Sequence, residues 1–141
     1  MGVTTALLTV EQFAQLPEEE TLRCELVHGE IVRMGNAGFL HERVKANANS
    51  ILTGYLFENP VGMIFPETMY QLGKRDAPIP DVSLLLNERI PAKATNALPE
   101  GAPDLAFEVV SSETAAFMER KISGCLQSKP CGGNRSFQPD L

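Results

Sequence analysis

"IPDVSLLL", residues 79–86, and "LAFEVVSS", residues 105–112, are the stretches on which the reading of the fold turns. Each is an apolar run of strand length, and each carries one carboxylate, Asp81 at the mouth of the first and Glu108 inside the second. A carboxylate taken out of water is costly unless it is paired, protonated or bound to a cation, so the two acids need an explanation. Side chains alternate along a strand, which turns Glu108 away from Phe107 and Val109. Asp81 follows Pro80 directly, where the chain is held extended. If the two strands are neighbours, both carboxylates meet at one sheet edge, and oxygen donors of that kind suit a hard divalent cation. Spacing alone leaves a second reading open: a strand-end Asp that caps a turn and a Glu that faces solvent from a one-sided sheet.

"TVEQFAQLP" carries Thr9 as an N-cap with Gln12 as its capping-box partner, and Val10, Phe13, Ala14 and Leu16 on one face before Pro17. "LRCELVHGEIVRM" divides into two short runs around His28-Gly29, which predicts a β-hairpin over residues 22–27 and 30–34. "FLHERVKANANSILTGYLFEN" places Leu40, Val44, Ala48, Ile51, Leu52, Tyr55 and Leu56 at spacings of three and four, the longest helix and one expected to pack on a sheet. "GMIFPETMYQL", "IPDVSLLL" and "DLAFEVVS" supply further strands, and "SSETAAFMERKISGCL" returns to helical spacing behind Ser112. Helix, hairpin, helix, strands and helix in that order make an α/β (α+β) domain with a mixed central sheet flanked by helices.

Composition excludes several classes. A chain of 141 residues, 43% hydrophobic and 21% charged, suits one globular domain and neither a disordered nor a repeat protein. No apolar run approaches membrane-spanning length, and the N-terminus lacks the basic region of a secretory leader, so a cytoplasmic protein without a membrane partner is expected. Cys24, Cys125 and Cys131 form no CxxC pair and have no histidine at zinc spacing, which points to reduced thiols. The net charge of −6 argues against coating nucleic acid by bulk electrostatics. It leaves room for a local carboxylate–cation site with a basic rim around Arg43, Lys45, Lys74 and Arg75.

The ordered set "TVEQFAQLPEEETLRCELVHGEIVRM", "GFLHERVKANANSIL", "IFPETMYQL", "PDVSLLL" and "GAPDLAFEVVSSETAAFMERK" resembles the Uma family of restriction-endonuclease-like proteins over residues 9–123. The resemblance implies a PD-(D/E)XK nuclease core, with residues 1–123 as that domain. It implies a metal-dependent nuclease using Mg²⁺ or Mn²⁺ on a nucleic acid, DNA before RNA, in which Asp81 and Glu108 bind the metal. Glu25 of "CELVHGE", His41 of "FLHERV" and Lys121 of "MERK" are implied as further catalytic residues. Without the resemblance, Glu25 also reads as a solvated hairpin carboxylate, His41 as a helix-start packing residue and Lys121 as a solvated helix lysine. The usual lysine position, two residues after Glu108, holds Val110, and the role passes to Lys121. Residues 124–141 depart from the family pattern: with Pro130, Gly132, Gly133 and Pro139 they predict a loosely held tail that leaves a sheet edge uncovered and favours a homodimer. A non-catalytic nucleic-acid- or protein-binding module of the same fold, or a degraded copy without activity, are the alternatives.

Overall fold

The structure is a computed structural model that describes residues 6–93 and 95–110. The expected helix over "SSETAAFMERKISGCL", the tail 124–141 and the domain boundary at residue 123 lie outside the described residues.

Thr9 opens helix α1 (Val10–Ala14) with both halves of the capping box in place: Gln12 N–H donates to Thr9 Oγ1 at 3.2 Å and Thr9 N–H donates to Gln12 Oε1 at 2.8 Å. Val10 and Phe13 are buried, and with Cys24, Leu26 and Ala77 they form the apolar centre of this part of the molecule. After the short α2 (Glu18–Thr21), strands β1 (Cys24–Val27) and β2 (Glu30–Arg33) pair antiparallel, with Cys24 opposite Arg33 and Val27 opposite Glu30. The hairpin stands where His28-Gly29 predicts it. His28 (φ 51°) and Gly29 (φ 81°) both take positive φ, as a two-residue I′ turn requires. A side chain on Gly29 would also collide with Leu7, its Cβ falling 2.8 Å from the Leu7 Cβ.

Helix α3 (Phe39–Glu58) lies against strands β3 (Gly62–Pro66) and β4 (Val82–Leu86). With β5 (Leu105–Phe107) these make a three-stranded sheet of order β3-β4-β5 in which both pairings are antiparallel. The described strands thus form two small antiparallel sheets. What joins them is the extended chain between Asp76 and Asp81. Ala77 exchanges backbone hydrogen bonds with Leu26 of β1 at 2.8 and 3.2 Å, while Tyr70 N–H and Leu72 N–H donate to the carbonyls of Pro78 and Asp76 at 3.0 and 2.9 Å. Arg89, nine-tenths buried, pins the loop after β4 through Asp104 at 3.1 Å, and Asp104 in turn accepts the Leu86 N–H at 2.9 Å.

Candidate active site

The register of β4 and β5 answers the question posed by the two acids. Val82 lies opposite Phe107, Ser83 opposite Ala106 and Leu84 opposite Leu105, and Asp81 and Glu108 each stand one residue beyond the Val82–Phe107 pair. Val109 N–H donates to Asp81 Oδ2 at 2.7 Å, which ties the two segments at that point. Asp81 is buried, at 5% exposure, and Glu108, one residue beyond β5, is half-buried. On the far side of Asp81 its carbonyl accepts the Glu67 N–H at 3.3 Å, so the carboxylate sits on a backbone held from both flanks.

Glu25 is buried, at 1% exposure, which overturns its reading as a solvated hairpin residue. All four β1 residues are buried because the strand lies between β2 and the 76–81 chain. Its Oε1 accepts the Ile79 N–H at 2.5 Å. Ile79 stands between Pro78 and Pro80, neither of which has an N–H, so its amide is the one donor of that triplet. The side chain of Glu25 therefore anchors the chain two residues before Asp81, about 7 Å along an extended segment.

His41 enters from α3. Its Nε2 lies 3.5 Å from Asp81 Oδ2 and its Nδ1 3.5 Å from Glu42 Oε1, contact distances rather than well-formed hydrogen bonds. The Nδ1 atom is buried without a hydrogen-bond partner among the described residues. One helical turn on, Lys45 is 14% exposed and bridges Glu42 at 2.9 Å and Glu67 at 3.0 Å. Asp81, His41, Glu42, Lys45 and Glu67 thus form a continuous line of ionisable contacts along the seam between α3 and the end of β3. Glu67 makes the bend there with φ 46°, in the left-handed region that a non-glycine residue seldom occupies. Burial pulls the Lys45 ammonium toward a lower pKa, but hydrogen bonds to Glu42 and Glu67 outweigh it and leave the pKa above its ordinary value. The same Lys45 contact holds the Glu42 carboxyl below its ordinary value.

The structure therefore brings His41 to Asp81 and anchors Glu25 to the chain two residues before it, while the β4–β5 register leads Glu108 toward the same sheet end; Lys121 lies outside the described residues. Glu42 and Glu67 were not singled out from the sequence, although the four-residue spacing of His41 and Lys45 signals a shared helix face. Lys45 belongs to the seam rather than to an open basic rim, and Arg75 is six extended residues, up to about 20 Å, from Asp81. No set of three His, Cys, Asp or Glu side chains that could hold a metal ion is found among the described residues. A cavity of about 600 Å³ bounded by Met63, Phe65, Leu85, Arg89 and Pro99 is lined by none of the residues of this site.

The family model "Uma2: Putative restriction endonuclease" matches residues 10–128. The crystal structure of a "putative nuclease belonging to DUF820" from Anabaena variabilis is similar with a TM-score of 0.72 at 23% identity, over 86% of this chain and 69% of that one. At that identity the likeness speaks to the fold, and with the family match it bears out the α/β, restriction-endonuclease-like architecture expected from the sequence. No curated protein matches the chain. Among the described residues no helix is long and apolar enough to cross a membrane.

Proposed function

Because the chain belongs to the Uma2 family, we propose that it is a nuclease that hydrolyses phosphodiester bonds of DNA with a divalent cation, Mg²⁺ or Mn²⁺, held by Asp81 and Glu108. The observation that carries this reading is the hydrogen bond from Val109 N–H to Asp81 Oδ2 at 2.7 Å, which ties the residue after Glu108 to Asp81 while His41 contacts the same carboxylate. Two hard oxygen donors at a sheet end fit such an ion, with water and phosphate oxygens completing its shell. When bound, the ion supplies a lowered pKa for its water and charge to offset that developing on the phosphate.

The chain's own residues divide the remaining work. Val109 N–H fixes Asp81 Oδ2, so the carboxylate's orientation is set before any ligand arrives. Glu25 holds the Ile79 amide and with it the approach of the strand to Asp81. His41 places an imidazole nitrogen against Asp81, where it orients the carboxylate and faces an incoming water or phosphate. Lys121 takes the lysine role that the family resemblance gives it. The alternative of a non-catalytic module of the same fold draws on one observation, that no third metal-ligating side chain converges among the described residues.

Supercoiled plasmid separates the two. The nuclease nicks it in Mg²⁺ or Mn²⁺ and not in EDTA, and Glu108→Gln loses cleavage. Binding without cleavage by the wild type, in both metals and on several substrates, would instead establish the module.

A further inference from the structure

Lys45 occupies a position that its ion pairs alone do not explain. The half-buried stripe of α3 consists of His41, Lys45, Ala48, Asn49, Leu52 and Leu56, and a lysine there gives up rotamer freedom and hydration that a surface lysine keeps. Its two partners are exposed, Glu42 at 47% and Glu67 at 55%, and ion pairs to exposed carboxylates contribute little to stability. The ammonium reaches three carboxylate oxygens, both of Glu42 at 3.0 and 2.9 Å and Oε1 of Glu67 at 3.0 Å. The ammonium lies one turn from His41, which touches Asp81, and is bonded to the side chain of Glu67, whose own N–H is bonded to the Asp81 carbonyl.

The surroundings are acidic. Asp81, Glu108, Glu42 and Glu67 crowd this end of a chain whose net charge is −6, so a polyanion that approaches Asp81 meets repulsion unless fixed positive charge stands beside the path. We propose that Lys45 is the phosphate-contacting cation of this site: it exchanges its exposed carboxylate tethers for a backbone phosphate of the nucleic acid seated over Asp81. This rests on the nuclease reading for the identity of the ligand, and it assigns to a residue on α3 a role distinct from that of Lys121. Because the hydrogen bonds that Lys45 donates to Glu42 and Glu67 outweigh burial and keep it protonated, it acts as a fixed charge and not as a proton acceptor.

The test is the salt dependence of duplex binding by the full chain in Ca²⁺, followed by single-turnover cleavage in Mg²⁺. Lys45→Met keeps the buried stem and removes the charge; the slope of log affinity against log salt falls by about 0.9, the loss of one phosphate contact, while Lys45→Arg keeps the slope. Cleavage by Lys45→Met falls about a hundredfold, as for removal of one electrostatic donor. Glu67→Gln, on an exposed side chain, frees one tether and tightens binding, the opposite sign. An unchanged slope in Lys45→Met, with or without a lower melting temperature, reduces Lys45 to a structural pin and overturns the proposal. A wild type that binds duplex but never cleaves sinks the nuclease reading, and the slope still decides Lys45. Absence of all duplex binding overturns both.

Discussion

A buried carboxylate that receives a backbone hydrogen bond does two jobs, and Asp81 must be probed with a substitution that separates them. Asp81→Ala would remove the acceptor of the half-buried Val109 N–H, a loss of about 1 kcal/mol that has nothing to do with metal. Asp81→Asn keeps the shape and a carbonyl acceptor while it removes the charge. With Mn²⁺ at about 100 times its dissociation constant, the wild type gains about 2.7 kcal/mol, read as a rise in melting temperature. Asp81→Asn loses that rise and melts close to the metal-free wild type. An equal rise in the variant would place the ion elsewhere. Glu25 shows why residue type alone did not disclose role: its burial follows from the packing of residues 76–81 against β1, which no local pattern around "CELVHGE" reveals.

Elements were legible where the signal was local. The capping box of α1 and the His28-Gly29 turn are each written within four residues, and both stand as read. Helix α3 was legible as a helix but not in its orientation. Of the expected stripe, Ala48, Leu52 and Leu56 face the sheet with His41 and Lys45, whereas Leu40, Ile51 and Tyr55 are exposed at 73%, 73% and 57%. Two apolar stripes lie side by side on this helix, so periodicity could not choose between them; the choice rests on contacts such as Lys45–Glu67, 22 residues apart. Between β3 and β4, Tyr70 plays the comparable long-range part. It is fully buried, and since Ser83 Oγ donates to the Phe65 carbonyl at 2.7 Å, the Tyr70 hydroxyl is the donor in its 2.8 Å contact with Ser83 Oγ. Burial raises its pKa above the ordinary 10.0. A group with a raised folded-state pKa contributes stability below its unfolded value and loses it as pH climbs through the folded value. Urea midpoints should therefore hold up to about pH 10 and fall above it. Tyr70→Phe should lose roughly 1 kcal/mol at neutral pH and flatten that alkaline fall.

On the scale of the whole molecule, charge and architecture pull in different directions. The sheet order and the α3 packing bring an imidazole, an ammonium and several carboxylates to one end of the fold, yet the chain as a whole carries −6. The fold was readable because the alternation of helix and strand signals survives without long-range knowledge, and the ordered motifs add a family whose model spans residues 10–128. The site was readable only as a pair of acids, since what surrounds them is assembled from α3, the end of β3 and the 76–81 chain, segments far apart in sequence. For an acidic protein the long-range field repels a polyanion, and counterion release from basic side chains supplies little of the affinity. Nucleic-acid binding should therefore depend on the divalent ion itself. In EDTA, duplex retention in a mobility-shift or anisotropy titration should be weak at all salt concentrations, while Ca²⁺, which fills oxygen sites without supporting Mg²⁺-type chemistry, should restore it by at least about tenfold, worth about 1.4 kcal/mol. Asp81→Asn should bind alike in EDTA and in Ca²⁺. Tight binding in EDTA that Ca²⁺ leaves unchanged would show that the polyanion is held by a basic surface away from Asp81, and that the carboxylate pair does not recruit the substrate.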